Sequence, residues 1–250
     1  MPASDGIALV AFDMFGTLVH NEVDEWVVTL GAIAGEQGLG IDGPAFHAEW
    51  RTHEVEFRKR RTNMADPEAS PPFMTYWEAW RDAFVTSLDV LGLVGDADAA
   101  ATRCVDDLGR RYAFPDVDDA LAGLKGRVPL AVMSNADDRF LLPVLALNGW
   151  TFDAVVSSEQ ARAYKPDPRA FRALCEATDT APERVLYVGD SPYDDAHGAK
   201  LVGMQTVLVR RDQRTPGRTP PPDAVRLLEP DHEIDALTEL VPLLETLRSR

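Results

Sequence analysis

The chain has 250 residues, of which 45% are hydrophobic and 26% charged, and its 41 acidic and 25 basic side chains give a formal net charge of −16. This composition is typical of a globular protein, and no apolar run approaches the ~20 residues of a membrane-spanning helix, so we expect no membrane partner. The acidic balance argues against nucleic acid as a partner but permits a small anionic substrate. Because the start of the chain has no basic segment of a secretory signal, we expect a cytoplasmic protein.

The first predicted element is a buried strand at residues 7–12 that ends at a carboxylate. Its six residues carry almost no polar side chain, and such a short run rich in strand formers is typical of a central strand covered on both faces. Asp13 follows at the strand end, before a tight turn at Gly16 and Thr17. Ligands of open α/β sheets bind outside the carboxyl ends of the strands. A single Asp after a strand is, however, more often a turn cap. Whether Asp13 has a functional role therefore depends on the later segments of the chain.

Residues 21–113 form a helical block. Three amphipathic stripes predict three helices and allow a fourth, and a loop rich in proline and small polar residues at 61–72 separates the second from the third. We interpret the aromatic residues of these stripes as core packing. The stripes comprise Trp26, Val27, Leu30 and Ile33; Phe46, Trp50, Val55 and Phe57; and Tyr76, Trp77, Trp80, Phe84, Leu88 and Leu91.

An alternation of strands and helices follows from residue 114 onward. Residues 114–117 read as a hinge and a helix starts at Val117, after which strands are predicted at 129–134, 152–157, 184–189 and 205–209. Residues 210–222 are predicted to be a surface loop, and 234–247 an amphipathic helix. The pattern predicts a mostly parallel sheet, in which the block at 21–113 is an insertion after the first strand.

Reactive side chains follow four of these strands in a set order. Together they resemble the haloacid dehalogenase superfamily over nearly the whole chain. The resemblance implies a Rossmann-like parallel α/β core at residues 1–20 and 114–250, with a helical C1-type cap at 21–113. The motifs that carry it are Asp13-Met14-Phe15-Gly16-Thr17, Met133-Ser134-Asn135, Tyr164-Lys165-Pro166-Asp167-Pro168 and Gly189-Asp190-Ser191-Pro192-Tyr193-Asp194-Asp195.

The resemblance gives these residues chemical roles that agree with their side chains. Asp13 takes the place of a carboxylate nucleophile, which divides a displacement into two steps through a covalent intermediate. Ser134 and Asn135 can donate hydrogen bonds to substrate oxygens, and we include Thr17 among the candidate substrate-binding residues. Lys165 is a compact cation suited to neutralise both the nucleophile and an anionic substrate.

The same resemblance implies a magnesium site. Clustered carboxylates near Asp13 repel one another unless a cation holds them, and hard oxygen ligands suit Mg²⁺. The family ligands fall on Asp13, the backbone carbonyl of Phe15 and Asp190. Asp195 is expected to act through water or as a partner of the ligands, and the family spacing favours it over Asp194.

Position 15 differs from the pattern of the family's phosphatases. They have a second Asp there, which acts as general acid, whereas this chain has Phe15. The 2-haloacid dehalogenase branch has an aromatic residue at this position and needs no acid, because halide leaves unprotonated. Arg51, after Trp50, resembles that branch's arginine for the substrate carboxylate, and Phe171 falls where the branch has a tyrosine.

Gly189-Asp190-Ser191 resembles the family's phosphatases. The dehalogenase branch has a motif similar to Ser-Ser-Asn at this place and works without metal. We therefore expect a Mg²⁺-dependent phosphatase acting on a small phosphorylated metabolite, as a monomer or homodimer. The alternatives are a 2-haloacid dehalogenase and a non-catalytic binding protein of the same fold. A side chain of the inserted helices could replace the missing acid. The candidates are His47, His53 and Glu54, which we interpret as exposed helix residues. We also interpret a basic group as a solvent-exposed helix face, with a clamp on the substrate anion as the alternative; it comprises Arg51, Arg58, Lys59, Arg60 and Arg61.

Overall fold

The computed structural model describes residues 6–211 and 225–248. It has six strands, which are β1 (Leu9–Phe12), β2 (Leu130–Ser134), β3 (Ala154–Ser157), β4 (Val185–Gly189), β5 (Gln205–Val209) and β6 (His232–Ile234). Its α-helices are α1 (Val23–Glu36), α2 (Gly43–Arg60), α3 (Tyr76–Leu91), α4 (Ala97–Leu108), α5 (Val117–Leu124), α6 (Asp138–Asn148), α7 (Ser158–Ala161), α8 (Pro168–Thr178), α9 (Gly198–Leu201) and α10 (Leu240–Arg248). A π-helical turn spans Pro192–His197. None of the helices in the described part is long and apolar enough to cross a membrane.

The six strands form one parallel sheet in the order β3-β2-β1-β4-β5-β6. The predicted α/β fold class is therefore confirmed. The five predicted strands are present, four of them one or two residues shorter at their start. Sequence patterns missed β6, a three-residue edge strand containing His232 and Glu233, and the final helix begins later than predicted, at Leu240. The predicted loop at 210–222 lies almost wholly outside the described residues.

Strand β1 packs against a separate apolar layer on each side. Alternate residues of a strand point to opposite faces. Val10 and Phe12 join the larger core, which also contains the aromatic residues of α1, α2 and α3. Leu9 and Ala11 join a smaller core that includes Phe171 and Tyr187. Burial on both faces explains why β1 is a continuous apolar run.

Helices α1–α4 lie between β1 and β2 in the chain, as an insertion. The fourth helix, which the sequence only allowed, is present and starts at the cap residue Asp96, whose side chain accepts from Ala99 N. Buried indoles hold the insertion together, with Trp26 stacked on Trp50 at 5.2 Å between ring centroids and Trp50 stacked on Phe84 at 5.5 Å. The assignment of 21–113 as a cap domain stays a prediction, with which this position agrees.

The insertion is tied to the sheet by Asp137, a side chain that is only 1% exposed. Its carboxylate oxygens accept hydrogen bonds from the backbone N–H groups of Tyr76 and Trp77 at 2.8 and 2.9 Å. These groups open α3 and have no partner within the helix, so a carboxylate from the β2–α6 loop satisfies them. Burial raises the pKa of Asp137 from 3.8 to about 6, against the effect of these hydrogen bonds.

This shift predicts a pH-dependent contribution to stability. Since the folded state binds the Asp137 proton more tightly than the unfolded state, the group contributes most at low pH and loses that contribution as pH rises through 6. Relative to Asp137→Asn, the wild-type free energy of unfolding should gain about 1 kcal/mol between pH 7 and pH 5. Urea unfolding of both proteins at the two pH values measures it, and a difference that does not change with pH would contradict the assignment.

Candidate active site

The register of the three central strands brings the predicted reactive side chains to one edge of the sheet. Phe12 pairs with Val132 on one side and with Val188 on the other. Asp13 follows Phe12 directly, while Ser134 and Asp190 come two residues after Val132 and Val188. In a parallel sheet the carboxyl ends of neighbouring strands face the same crevice, so these side chains converge.

The two carboxylate oxygens of Asp13 lie in different surroundings. Oδ1 accepts from Lys165 Nζ at 2.7 Å and from Ser134 Oγ at 3.1 Å. Oδ2 lies 3.4 Å from the Thr17 hydroxyl, whose one proton has a nearer acceptor in Asp190 Oδ1 at 3.2 Å. Asp13 is buried, and Oδ1 is therefore held by two donors while Oδ2 is held more loosely.

Lys165, which is 1% exposed, brings a positive charge into this crevice. Besides Asp13, its ammonium donates to Asp195 Oδ1 at 2.6 Å and to the Tyr187 hydroxyl at 2.9 Å. Burial lowers the pKa of Lys165, but the charges of Asp13 and Asp195 outweigh it and hold that pKa well above its usual value. Lys165 therefore stays charged.

Asn135 positions the segment that carries Lys165. Its side-chain carbonyl accepts from Lys165 N at 2.8 Å and its amide donates to Lys165 O at 3.1 Å. Asn135 thus binds both the N–H and the carbonyl group of Lys165, and it also lines the cavity beside Asp13. The structure gives it a supporting contact in addition to the substrate contact that the sequence predicted.

Asp13, Asp190 and Asp195 form a compact acidic cluster. Each offers a carboxylate oxygen within 4.8 Å of those of the other two, and all three side chains are buried. Two glycines allow this closeness. Gly16 has a φ of +91°, and a Cβ there would lie 2.9 Å from Asp190 Oδ2, whereas a Cβ on Gly189 would lie 2.3 Å from Asp195 Cγ.

Lys165 supplies one positive charge to these three carboxylates. Burial and the charges of Asp13 and Asp190 raise the pKa of Asp195 to about 8, despite the lowering effect of Lys165. Two negative charges remain, of which a proton on Asp195 would offset one and a divalent cation both. The oxygen donors are of the kind that Mg²⁺ prefers, so the donor set fits the predicted metal. The residues that would hold it are Asp13, Asp190 and Phe15 through its carbonyl, with Asp195 beside them.

The acidic cluster opens into a small cavity of about 60 Å³. This is far below the ~300–1,000 Å³ of sites for drug-sized ligands, so the cavity suits a substrate of few heavy atoms. Its walls combine the polar strand ends with aromatic rings from the loop after β1, from α6 and from the insertion. The rings belong to Phe15, Trp26, Tyr76, Trp80 and Phe140. Some aromatic residues that the sequence assigned to core packing thus also shape the site.

Two arginines of α2 that the sequence analysis considered, Arg51 and Arg58, lie in different places relative to the cavity. Arg58 lines the cavity, lies over the Tyr76 ring at 5.3 Å, and its side chain is 10% exposed. Arg51 pairs with Glu54 and is not among the described residues that line the cavity. Glu54 also pairs with Arg58 and is 1% exposed. The substrate role predicted for Arg51 stays a prediction, and sequence reasoning gave Arg58 too little weight.

The predicted exposure of several α2 side chains is wrong. Glu54 and His47 are buried, and so is Arg61, which follows the helix. Residues 50, 54, 58 and 61 recur at helical spacing, so the charged positions continue the face that carries buried Trp50. Among the described residues, the cavity lining includes none of His47, His53 and Glu54, the three candidates for the missing acid. Lys59 and Arg60 are exposed as expected.

Arg61 and Asp194 provide a second contact between the insertion and the sheet. Arg61 donates to the Lys165 carbonyl at 3.2 Å and to the Tyr76 hydroxyl at 2.6 Å, and lies 3.8 Å from an Asp194 oxygen. Asp194 lines the cavity, although the family spacing favoured only its neighbour Asp195. In the sequence, the one indication that Asp194 belongs to the site is its position next to Asp195. Nothing in the sequence indicates the contact with Arg61, because it joins segments that are far apart in the chain.

Several known proteins are similar to this chain in sequence and structure. The chain is 30% identical over 210 residues to haloacetate dehalogenase H-2 of Moraxella sp. (strain B), covering 82% of this chain and 86% of that protein. It is 26% identical over 245 residues to (S)-2-haloacid dehalogenase 1 of Pseudomonas sp. (strain CBS-3), covering 96% and 97%. A solved L-2-haloacid dehalogenase of Xanthobacter autotrophicus, with chloropropionic acid covalently bound, matches with a TM-score of 0.73 and 25% identity over 96% of this chain and 98% of that one.

The family itself follows from a direct match. A family model described as haloacid dehalogenase-like hydrolase covers residues 7–203, which include the motifs at Asp13, Ser134, Lys165 and Asp190. The resemblance inferred from these motifs is thereby confirmed, and the chain belongs to the haloacid dehalogenase-like hydrolases.

Proposed function

We propose that this hydrolase is of the 2-haloacid dehalogenase type and displaces halide from a short 2-haloalkanoate. The observation that carries the proposal is Phe15, whose ring lines the cavity two residues after Asp13 and packs edge-on against Phe140 at 5.4 Å. A phenyl ring cannot protonate a leaving group, and a halide needs no proton. Two relatives, a haloacetate and a 2-haloacid dehalogenase, support the same reaction. The sequence analysis favoured a phosphatase, with a dehalogenase as an alternative. Our proposal now prefers the dehalogenase.

The first chemical step forms an ester on Asp13. A carboxylate oxygen of Asp13 bonds to C2 of the substrate while the carbon–halogen bond breaks and the halide leaves with the bonding electrons. We assign the attack to Oδ2, because Oδ1 is held by Lys165 and Ser134. The covalently bound chloropropionic acid in the Xanthobacter enzyme supports a covalent route.

The second step releases the product. Water adds to the carbonyl carbon of the Asp13 ester and the bond between that carbon and the ester oxygen breaks. The products are the 2-hydroxyalkanoate, the regenerated carboxylate and one proton that passes to solvent. Lys165 and Ser134 are placed to stabilise negative charge that develops on Oδ1 during this addition.

Arg58 is our candidate for the substrate carboxylate. It brings a guanidinium to the cavity wall, and its pairing with buried Glu54 orients it. Trp80 lines the same cavity, and its buried indole N–H has no hydrogen-bond partner among the described residues.

Purified protein should release chloride from 2-chloropropionate, and the rate should be the same with excess EDTA as with added Mg²⁺. Asp13→Asn should reduce the rate on the order of 10³-fold or more, because it removes the nucleophile. Ion chromatography of chloride measures both. No chloride release from a panel of short 2-haloacids, or release abolished by EDTA, would refute the proposal.

The two arginines offer a matched comparison. Arg58→Met should raise KM for 2-chloropropionate by about 10- to 100-fold through loss of a charge-assisted contact, whereas Arg51→Met should change it by less than about threefold. Steady-state chloride release gives both values. A larger effect of Arg51→Met would favour the original assignment of the substrate contact to Arg51.

The acidic cluster supports a second candidate, a Mg²⁺-dependent phosphatase. Asp13, Asp190 and Asp195 lie within 4.8 Å of one another, and their oxygens fit Mg²⁺. When bound, the metal would offset the charge of a phosphoryl group. An Asp13 oxygen would bond to phosphorus while the P–O bond to the alcohol breaks and the alkoxide leaves with the bonding electrons, and Lys165 would neutralise a phosphoryl oxygen. Because Phe15 cannot act as general acid, this reaction would be limited to esters with good leaving groups.

Asp190→Asn separates the two candidates. It removes one charge beside Asp13 and keeps the side-chain shape, so dehalogenation should be retained within about threefold or improved. Phosphate release from p-nitrophenyl phosphate with Mg²⁺, where wild type shows it, should fall by about tenfold or more. The exposed Asp89→Asn on α3 is the control. Loss of chloride release in Asp190→Asn alone would contradict the dehalogenase assignment.

A further inference from the structure

Tyr187 is a fully buried tyrosine in the middle of β4, where the sequence pattern indicates only an apolar strand position. Its hydroxyl accepts from Lys165 Nζ at 2.9 Å and donates to the backbone carbonyl of Met133 at 2.7 Å. Met133 directly precedes Ser134, which donates to Asp13 Oδ1. The hydroxyl therefore links β4, the end of β2 and the ammonium group of Lys165.

The direction of these hydrogen bonds is determined by their chemistry. A carbonyl only accepts and an ammonium only donates, so the single proton of Tyr187 points to Met133 and its lone pair faces Lys165. Burial raises the pKa of the Tyr187 phenol well above its usual value, and the proton is retained. With Asp13, Asp195 and Tyr187 as acceptors, all three ammonium hydrogens of Lys165 are matched.

We propose that Tyr187 is a positioning residue, which holds the Lys165 ammonium against Asp13 Oδ1 and leaves Oδ2 to react. Packing alone would require only the ring of Tyr187, which lies edge-on to Phe171 at 5.2 Å between ring centroids. The hydroxyl is what a phenylalanine would lack. Without it, one ammonium hydrogen has no partner in a buried site, and Lys165 gains freedom to turn away from Asp13.

The test uses two variants that separate the hydroxyl from the ring. Tyr187→Phe removes the hydroxyl and keeps the ring, whereas Phe171→Leu disturbs the packing and keeps the hydroxyl. The chain has four lysines, at 59, 125, 165 and 200, so a ¹⁵N spectrum of the lysine Nζ groups is simple. Lys165→Met assigns the slowly exchanging ammonium signal expected from the one buried lysine.

In Tyr187→Phe the Lys165 ammonium hydrogens should exchange with water at least about threefold faster than in wild type, because an unmatched hydrogen is less protected. In Phe171→Leu the rate should stay near that of wild type while the thermal midpoint falls. An unchanged exchange rate in Tyr187→Phe, or an equal increase in both variants, overturns the proposal. This readout does not depend on the substrate.

Turnover gives a second readout, which rests on the proposed function. Tyr187→Phe should lower kcat for chloride release by about tenfold with KM changed less than about twofold, since misplacing a catalytic group affects the chemical step. Tyr112→Phe, at an exposed position, is the matched control. If wild type releases no halide, the function fails while the exchange experiment still decides the role of Tyr187. Unchanged kcat in an active Tyr187→Phe enzyme contradicts that role.

Discussion

The site depends on a balance of charge in a space from which water is largely excluded. Three carboxylates meet at the carboxyl ends of neighbouring strands, and Lys165 is the ammonium that holds two of them, Asp13 and Asp195. Such a group of like charges is costly in a buried site unless counter-charges or protons accompany it. Other features support this arrangement. Gly16 and Gly189 leave room for the carboxylates, Ser134 donates a hydrogen bond to Asp13, and Asn135 accepts a hydrogen bond from the backbone of Lys165.

The charge balance also frames the choice between the two reactions. Dehalogenation needs a negative Asp13 and no general acid, which agrees with an aromatic Phe15 in a cavity with aromatic walls. Asp190 adds negative charge beside the nucleophile, which suits a metal-dependent phosphoryl transfer better than displacement of a halide. This chain therefore combines an aromatic residue of one kind of site with a carboxylate of the other. Relatives that are dehalogenases place the first reaction ahead in our proposal.

The insertion completes the site from the other side. Its polar contacts with the core include those of Asp137 with the start of α3, of Arg61 with the Lys165 carbonyl, and of the Tyr164 hydroxyl with the Met74 carbonyl. The first joins the insertion to the loop between β2 and α6, and the other two join it to the segment between α7 and α8 that carries Lys165. The position of the insertion is thus coupled to the groups that it covers, and a ligand held by Arg58 would contact both parts of the molecule.

Much of the fold could be predicted because the relevant signals are local. Apolar runs followed by polar residues located five of the strands, and helical periodicity located the insertion. The edge strand β6 escaped because three residues that include His232 and Glu233 carry no apolar pattern. Exposure was misjudged for Glu54 and His47, since composition marks them as polar while helical spacing places them on the buried face of α2.

By itself, the sequence determined which residues stand at the strand ends, and thereby the family, the nucleophile candidate Asp13 and the atypical Phe15. Tertiary structure decided which side chains meet across the chain. It placed Arg58 in the cavity wall, set Asp194 against Arg61 and put the Tyr187 hydroxyl on Lys165. The reason is physical. Strand-end motifs are written in consecutive residues, whereas hydrogen bonds and charge pairs depend on distances between segments that only the folded chain brings together.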